Sequence, residues 1–247
     1  MALDLEKLKK RQAGLQGKGT NGNDFWKPED GEQQIRIVPT EDGDPFKDYW
    51  FHYNVGATRG FLCPKRNFGD GCPVCEFASK LWNSHQDGDP AAGDEAKKLF
   101  AKQRFFSPVV VRERHDSPKV WGYSKTVYEQ LLNLCFDPDY GDITDVMEGN
   151  DIRLTYSKPA GRRFPMTEIR VRPHKTSLFD DEDQIKVALD NLPDFSTLFE
   201  RKTTGDVQET LDQYVIGDDN NSGTPTSSDS SGEGSSIESS FNELLNS

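Results

Sequence analysis

The sequence predicts a mainly β protein with peripheral helices, arranged as a small barrel or sandwich. Short segments alternate apolar and polar residues, as in residues 35–38 and 168–172, and this period of two is typical of half-buried strands. Turns rich in Gly, Pro and Asp separate these segments. Few stretches have the 3.6-residue period of an amphipathic helix. Together these observations favour short strands around a common core.

The N-terminal segment has the pattern of a short amphipathic helix. Leu5, Leu8 and Leu15 fall on one side of that helix. The basic residues beside them are Lys7, Lys9, Lys10 and Arg11. Glycines in the stretch 17–23 predict a flexible connection, so we interpret residues 1–22 as a basic arm attached to the body. A frayed, solvated N-terminus gives the same pattern, and the sequence leaves both interpretations open.

The body spans residues 23–204 and contains the predicted strands. An aromatic run at 49–53, an apolar run at 105–111 and alternation at 152–156 add to the two segments above. Helices are predicted at 76–84 and at 125–135, where apolar residues recur at helical spacing. Cys135 lies on the leucine-rich face of the second helix and is predicted to be a core thiol. After Leu178 the chain is acidic and helical, and its apolar residues are predicted to pack against the body.

The net charge of −12 is concentrated at one end of the chain. Residues 205–247 contain nine acids and no Lys or Arg, and residues 178–204 add seven acids against three bases. The remaining 26 acids and 27 bases leave residues 1–177 close to neutral. The acidity therefore does not exclude nucleic acid as a partner of the first part of the chain.

Residues 205–247 are predicted to form an acidic, disordered tail, because their composition cannot bury enough apolar area to order itself. Near its end the tail has four apolar residues at helical spacing, typical of a motif that docks on a partner protein. These residues are Ile237, Phe241, Leu244 and Leu245. No run of eighteen apolar residues and no secretory signal occurs, so we expect a soluble intracellular protein without a membrane span.

Four potential metal ligands lie close together in the sequence, and they are His52, Cys63, Cys72 and Cys75. Cys-x-x-Cys spacing places two thiolates at the start of a helix, and preceding strands can bring in the other two groups. A shell filled by four protein ligands predicts one structural Zn²⁺ that stabilises a subdomain at about residues 50–90. His85 is an alternative fourth ligand, in which case His52 is a half-buried histidine of a strand.

Three enzymatic functions are less consistent with the sequence. A thioredoxin-like dithiol fits Cys-Pro-Val-Cys, but a third cysteine nearby and the lack of a βαβ pattern argue against it. A zinc deaminase needs Glu two residues after its His, and Asn54 occupies that position. The acids Asp116, Asp137 and Asp151 lack the paired spacing of a two-metal nuclease. The sequence therefore predicts a binding protein that is not an enzyme.

Basic and aromatic residues are interleaved in three places, at 102–106, 119–125 and 153–164. This pattern is typical of proteins that stack bases on rings inside a positively charged groove. The predicted DNA contacts, including two arginines on one face of the last strand, are Lys102, Arg104, Phe105, Phe106, Lys119, Trp121, Tyr123, Lys125, Arg153, Tyr156, Lys158, Arg162, Arg163, Phe164, Arg170 and Arg172. Strand aromatics are more often core residues, so stacking and core packing remain open for each single ring.

The order of these features resembles the single-stranded DNA-binding, helix-destabilising proteins of T-even-like bacteriophages. The resemblance spans nearly the whole chain. It rests on the basic arm, on the segment 34–39, on His52 with the three cysteines, on the segments 102–111 and 119–123, and on the acidic tail that ends in Leu-Leu. It implies an OB-fold core, a five-stranded barrel, with an inserted zinc subdomain whose ligands are His52, Cys63, Cys72 and Cys75.

The resemblance also implies a function. Such proteins bind single-stranded DNA cooperatively and without sequence preference, and they protect and straighten it in phage DNA replication, recombination and repair. They work in the cytoplasm of the infected bacterial host, and their acidic tails recruit replication, recombination and repair proteins. Self-association would use the arm residues Lys7, Lys9, Lys10 and Arg11, although Gln12-Ala13 replaces the Ser-Thr that often follows in the family. The alternative is a zinc-stabilised protein-interaction adaptor that binds no DNA and uses its aromatic residues as core.

Overall fold

The computed structural model describes residues 25–114, 117–161 and 165–219. The strands in these ranges are β1 (Phe25–Trp26), β2 (Gly31–Ile37), β3 (Lys47–Val55), β4 (Thr58–Leu62), β5 (Lys102–Val111), β6 (Lys119–Tyr123), β7 (Gly149–Ser157) and β8 (Met166–Thr176). The helices are α1 (Pro64–Phe68), α2 (Pro73–Gln86), α3 (Pro90–Leu99), α4 (Lys125–Phe136), α5 (Glu182–Asp190) and α6 (Thr204–Asp219). The prediction of a mainly β body with peripheral helices is confirmed.

The strands form one sheet in the order β1-β6-β5-β2-β7-β8, and β3 and β4 branch from β5. Only the short β1–β6 pairing is parallel among these ladders. Strand β5 is ten residues long. Its first half pairs with β3 and its second half pairs with β2, while β6 lies on its other edge. The β3–β4 hairpin therefore diverges from the rest of the sheet and can carry a separate unit.

The sheet curls around a core that receives side chains from all six strands of the main path. Ile35 and Ile37 of β2 lie in this core with Ile152 and Leu154 of β7, so each alternating segment buries one face. Helix α4 adds Val127 and Leu131, the apolar face that its 3.6-residue period predicted.

The β3–β4 hairpin, α1, α2 and α3 form a second unit with its own small core. Its buried residues are Val55, Phe61, Cys63, Cys72, Val74, Ala78, Leu99, Val207 and Leu211. The last two belong to α6, which packs on the hairpin turn. Gly56 in that turn has a φ of 61°, and a Cβ there would lie 2.8 Å from the carbonyl oxygen of Thr210. The turn therefore requires glycine both for its conformation and for the approach of α6.

The structure corrects two predicted boundaries. The second unit does not end near residue 90 but continues through α3 to Leu99. The tail does not begin at residue 205, because α6 buries Val207 and Leu211 against that unit. The acids Asp206, Glu209 and Asp212 of α6 are exposed, which explains why composition alone made this helix resemble a disordered segment.

The chain between α5 and α6 packs against the body as predicted. Phe195, Leu198 and Phe199 join an aromatic cluster with Phe51 and Phe106 on one face of β3 and β5. No helix in the described residues is long and apolar enough to cross a membrane. The predicted site residues that lie outside the described residues are Lys7, Lys9, Lys10, Arg11, Arg162, Arg163 and Phe164.

Candidate metal centre and nucleic-acid interface

Two helix beginnings position the three cysteines of the candidate metal centre. Cys63 is the N-cap residue of α1 and Cys72 is the N-cap residue of α2, and a proline follows each of them. Proline is well suited to the first helical position, where no backbone N–H is needed and φ is already helical. Cys75 lies in the first turn of α2, and His52 lies within β3. The local sequence thus fixes three ligands on helix termini and one on a strand.

The four side chains meet at one buried point. Their ligand atoms all lie within 4.8 Å of one another. The Nε2 atom of His52 is 3.3 Å from the Sγ of Cys72 and 3.4 Å from the Sγ of Cys75, and the Sγ atoms of Cys63 and Cys75 are 3.4 Å apart. His52, Cys63 and Cys72 are fully buried. Four such groups could hold one metal ion.

The donor set and its spacing fit Zn²⁺. Tetrahedral zinc has Zn–S bonds of ~2.3 Å and Zn–N bonds of ~2.0 Å, which places neighbouring ligand atoms about 3.5 Å apart. The closest ligand atoms here are separated by nearly that distance. Three thiols and one imidazole form a shell that four protein ligands complete, which is typical of a structural site.

The electrostatics of the cluster also favour a cation. Hydrogen bonds with Cys72 and Cys75 lower the pKa of the Cys63 thiol, and hydrogen bonds with Cys63 and Cys72 raise the pKa of the Cys75 thiol. Buried thiols this close cannot all become thiolates without a compensating positive charge. A metal ion supplies that charge and binds the thiolate form.

Hydrogen bonds around the cluster orient its ligands. The Nδ1 atom of His52 donates to the carbonyl oxygen of Leu99 at 2.8 Å, so Nε2 faces the thiols with a free lone pair. The backbone N–H of Arg66 donates to the Sγ of Cys63 at 3.4 Å. His85 lies outside the cluster, and its Nδ1 contacts the carbonyl oxygen of Asp89 at 3.0 Å. The geometry therefore selects His52 over His85.

Four of the rings predicted to stack on bases are buried, and this interpretation needs correction. Phe105, Phe106, Trp121 and Tyr123 are only 1–4% exposed. Phe105 stacks on Tyr128 with ring centroids 4.0 Å apart, and the hydroxyl of Tyr123 hydrogen-bonds that of Ser107 at 2.7 Å. Rings so enclosed offer little surface to a base. Phe106 packs in the aromatic cluster on the other face of β5, and Phe105, Trp121 and Tyr123 belong to the main core. Tyr156 is half-buried against the same core.

Several predicted basic contacts lie on the outer face of β7 and β8. Arg153 and Arg170 are exposed and directly opposite each other across the two strands. Arg172 donates to the side-chain oxygen of Gln34, and Arg153 forms an ion pair with Glu32 at 3.2 Å. This face is basic, as the alternation in β8 predicted, but the described residues bring no aromatic ring of the predicted set onto it.

The other basic residues predicted to contact DNA do not share one surface. Lys102 is exposed at the start of β5, and Arg104 is half-buried further along that strand, where burial lowers the pKa of its guanidinium. Lys119 is half-buried at the start of β6. Lys125 is exposed on α4 with its Nζ 3.7 Å from Glu129, and Lys158 is exposed after β7.

The structure also reveals a surface that sequence reasoning missed, which we call the cation–aromatic patch. It consists of three rings, each with a cation over its face, and the pairs are Trp50 with Arg66, Phe61 with Lys202, and Phe68 with Arg201. Phe61 is only 5% exposed, so Trp50 and Phe68 provide the ring surface of the patch. The three cation-to-centroid distances are 5.1, 5.2 and 4.3 Å. The sequence Lys65-Arg66-Asn67-Phe68 has the interleaved pattern, but it lies between two candidate metal ligands, Cys63 and Cys72.

A groove along the edge strand β4 adjoins this patch. It has a volume of about 310 Å³ and is lined by β4 and by the segment that precedes α6. Arg59 and Lys202 contribute positive charge to its walls, Glu200 contributes one negative charge, and Phe61 and Phe199 contribute ring surface. The patch and the groove lie close enough together for one extended nucleic-acid strand to contact the cations and rings of both.

Comparison with known proteins agrees with this arrangement. The family model described as gp32 DNA binding protein like matches residues 29–214, a range that includes the curled sheet, the metal cluster and most of α6. No curated protein matches the chain. Since the family match covers most of the sequence, this chain belongs to the gp32-like family of DNA-binding proteins.

Proposed function

We propose that this chain binds single-stranded DNA cooperatively and without sequence preference, and that it protects and straightens the strand in phage DNA replication, recombination and repair. The observation that carries the proposal is the family match over residues 29–214. The cation–aromatic patch supports it, because rings beside cations hold bases of any sequence by stacking. The place of action would be the cytoplasm of the bacterial host.

The mechanism we propose needs no nucleotide hydrolysis. Lys and Arg side chains neutralise backbone phosphates and release their counterions, which gives affinity without base recognition. Aromatic rings add about 1–3 kcal/mol for each stacked base. Because only unpaired strands fit such a surface, binding shifts the pairing equilibrium of a duplex by mass action.

We further propose that the curled sheet is an OB-fold into which the metal-bearing unit is inserted. A five-stranded, partly open barrel is the usual form of that fold. In support of it, the sheet wraps around one core, and α4 packs beside β8. The inserted unit branches from β5 through the β3–β4 hairpin.

The metal in this proposal is one structural Zn²⁺ held by His52, Cys63, Cys72 and Cys75. Its charge would compensate the thiolates and join β3 to the beginnings of α1 and α2. Since Arg66 and Phe68 lie in α1, the ion would also hold one side of the cation–aromatic patch in position.

Truncation of Phe68 tests the patch. Phe68 is 40% exposed, so Phe68→Ala should cost little stability while removing a stacking surface. We expect the affinity for single-stranded DNA to fall about 5- to 150-fold with an unchanged salt dependence. Quenching of tryptophan fluorescence during titration with an oligonucleotide and with matched duplex, at several salt concentrations, measures both quantities.

The matched control is Phe136→Ala, which removes an aromatic side chain that is 77% exposed at the end of α4. Asp137 and Asp139 follow it, and their negative charge disfavours DNA there. Equal losses in both variants would contradict a role for the patch. If neither strand form quenches the wild-type protein, the protein-interaction adaptor becomes the better account.

Removal of the acidic tail tests a second part of the proposal, in which the tail competes with DNA and recruits replication, recombination and repair proteins. Helix α6 continues to Asp219, so the deletion should begin at Asn220. Residues 220–247 contain four acids and no base. We expect the deletion to raise affinity about threefold or more at low salt and to have no effect at high salt.

Replacing Asp229, Glu233, Glu238 and Glu243 by their amides provides the control for this deletion. The neutral tail should behave like the deletion if electrostatic competition is the cause. An affinity and salt dependence equal to those of the full chain would contradict competition and leave partner recruitment as the role of the tail. Cooperativity would depend on Lys7, Lys9, Lys10 and Arg11 of the arm.

A further inference from the structure

A groove beside α5 combines an apolar floor with an acidic rim, and we call it the α5 groove. Its volume is about 570 Å³, and Phe179, Val187 and Ala188 contribute its apolar surface. Val187 is 60% exposed, although Ile185 and Ala188 on the same helix are buried. The groove therefore places an exposed apolar side chain beside charged walls, a combination that an amphipathic segment can cover.

The charge of the groove restricts what can cover it. Asp181 and Asp183 lie in its wall, and the acids of the run 180–183 are all exposed. The one base of α5 is Lys186, whose Nζ is 3.5 Å from Asp183. DNA is repelled by such a surface, so the occupant must be a cationic segment with some apolar residues.

The N-terminal segment of the sequence is of this kind. Residues 7–18 carry five bases and no acid, and Leu5, Leu8 and Leu15 recur at helical spacing. Apolar residues of that segment would cover Val187, and its lysines would face the acidic rim. Charge and apolar pattern are therefore complementary between the groove and the N-terminal arm.

Strand β1 places the point where the arm joins the body close to the α5 groove. Phe25 pairs with Val120 in the parallel β1–β6 ladder, so the chain reaches Phe25 from the end of β6 at which Ser117 lies. Ser117 lines the α5 groove. Ser117 lies three positions before Val120, which corresponds to about 10 Å of extended chain. An eight-residue linker rich in glycine has a mean span of roughly 16 Å, and residues 17–24 have that length and composition, so they can bridge this distance.

We propose that the α5 groove is the docking site of this chain's own N-terminal arm in the DNA-free protein, with residues 5–15 as the docked segment. This inference is independent of the proposed DNA binding. The short tether favours the chain's own arm, because it gives the arm an effective concentration of about millimolar at the groove. Docking covers Val187 and prevents the lysines of the arm from binding other anions.

Carbodiimide cross-linking of the full chain tests this proposal without DNA. The reagent condenses a lysine amine with a carboxylate to an amide and takes up the released water as a urea. The sample is an equimolar mixture of unlabelled and heavy-nitrogen-labelled protein, digested and analysed by mass spectrometry. We expect peptides that join Lys7, Lys9 or Lys10 to the run 180–183, with both halves carrying the same label.

A matched pair of variants shows whether the groove itself is responsible. Val187→Lys places a cation on the groove floor without removing a target carboxylate, and it should reduce the yield of these peptides at least fivefold. Val215→Lys is the control, since Val215 is an exposed valine, 41% accessible, on α6. Circular dichroism should show both variants folded.

Three outcomes would overturn the proposal. Peptides with mixed labels would mean that the arm docks on another copy. Arm cross-links directed mainly to acids outside the run 180–183 would mean that a different surface is the acceptor. Equal losses of yield in Val187→Lys and Val215→Lys would mean that net charge, and not the groove, determines the contact.

Discussion

Replacing Cys72 by Ser is expected to abolish one-to-one zinc binding and to lower the midpoint of thermal unfolding by about 10 °C or more. Cys72 is fully buried, is 3.3 Å from the Nε2 of His52, and begins α2. A serine hydroxyl is a poor ligand for zinc at neutral pH, so the remaining three groups would form an incomplete shell. The loss is large because binding free energy at a structural site is folding free energy.

The destabilisation should be largest in the second unit, which contains the four candidate ligands. Its core is small, and two of its buried side chains, Cys63 and Cys72, are themselves proposed ligands. Hydrogen exchange is expected to accelerate in the β3–β4 hairpin, in α1 to α3 and in α6, while β7 and β8 stay protected. Metal content by elemental analysis, calorimetry and hydrogen exchange measure the three parts of this prediction.

Cys135→Ser is the matched control for the cysteine. Cys135 is a half-buried thiol packed against the main core, outside the ligand cluster. This variant should retain one zinc ion for each chain and lose about 1 kcal/mol of stability or less. Full zinc occupancy in Cys72→Ser, or equal destabilisation in both variants, would contradict the assignment of Cys72 as a ligand.

The second large effect is expected from Asp151→Asn, which should cost about 3–5 kcal/mol of folding free energy. Asp151 is buried and accepts hydrogen bonds from Arg36 at 2.9 Å and from Arg112 at 2.8 Å. The Arg36 side chain is fully buried and also donates to the backbone oxygens of Asp145 and Thr176. Without the carboxylate, two guanidinium groups would remain close together with no counter-charge.

The pH dependence of stability has a definite sign at this site. Burial alone would raise the pKa of Asp151, but its hydrogen bond with Arg112 and the charges of Arg112 and Arg36 outweigh burial and lower it. A carboxyl whose pKa is lower in the folded state stabilises the fold above its unfolded pKa, which is about 3.9. This contribution is lost as the pH falls through the folded pKa. Wild-type stability should therefore drop below about pH 4, and Asp151→Asn should lack this part of the drop.

Urea unfolding between pH 3 and pH 7 measures both effects. Asp94→Asn is the control, since Asp94 forms an exposed ion pair with Lys97 on α3 and should give no measurable change at neutral pH. An Asp151→Asn variant as stable as the wild type at pH 7 would mean that water or another group compensates the arginines. Zinc content should be unaffected in either variant.

The sequence by itself determined the strands and helices whose pattern depends only on residues that are neighbours along the chain. Alternation predicted strands within β2, β7 and β8, and aromatic and apolar runs predicted β3 and β5. Helical periodicity predicted α2 and α4 within a few residues, and a helical segment after Leu178. These patterns are local, because one face of a strand or helix is buried whatever its partner. The metal cluster was also predictable, since its ligands lie within 24 residues and zinc chemistry limits their types.

Only the tertiary structure decided what depends on distant contacts. It buried Phe105, Trp121 and Tyr123 in the main core, because the curl of the sheet, which no local pattern specifies, fixes the buried face. It buried Phe106 on the other face of β5, where Phe195, Leu198 and Phe199 pack against it. It folded α6 onto the β3–β4 turn, although the exposed acids of this helix resemble a disordered tail. It also placed Arg201 over Phe68 and Lys202 over Phe61, residues more than a hundred positions apart. Side-chain chemistry shows which groups can bind DNA, but chain folding determines which of them share a surface.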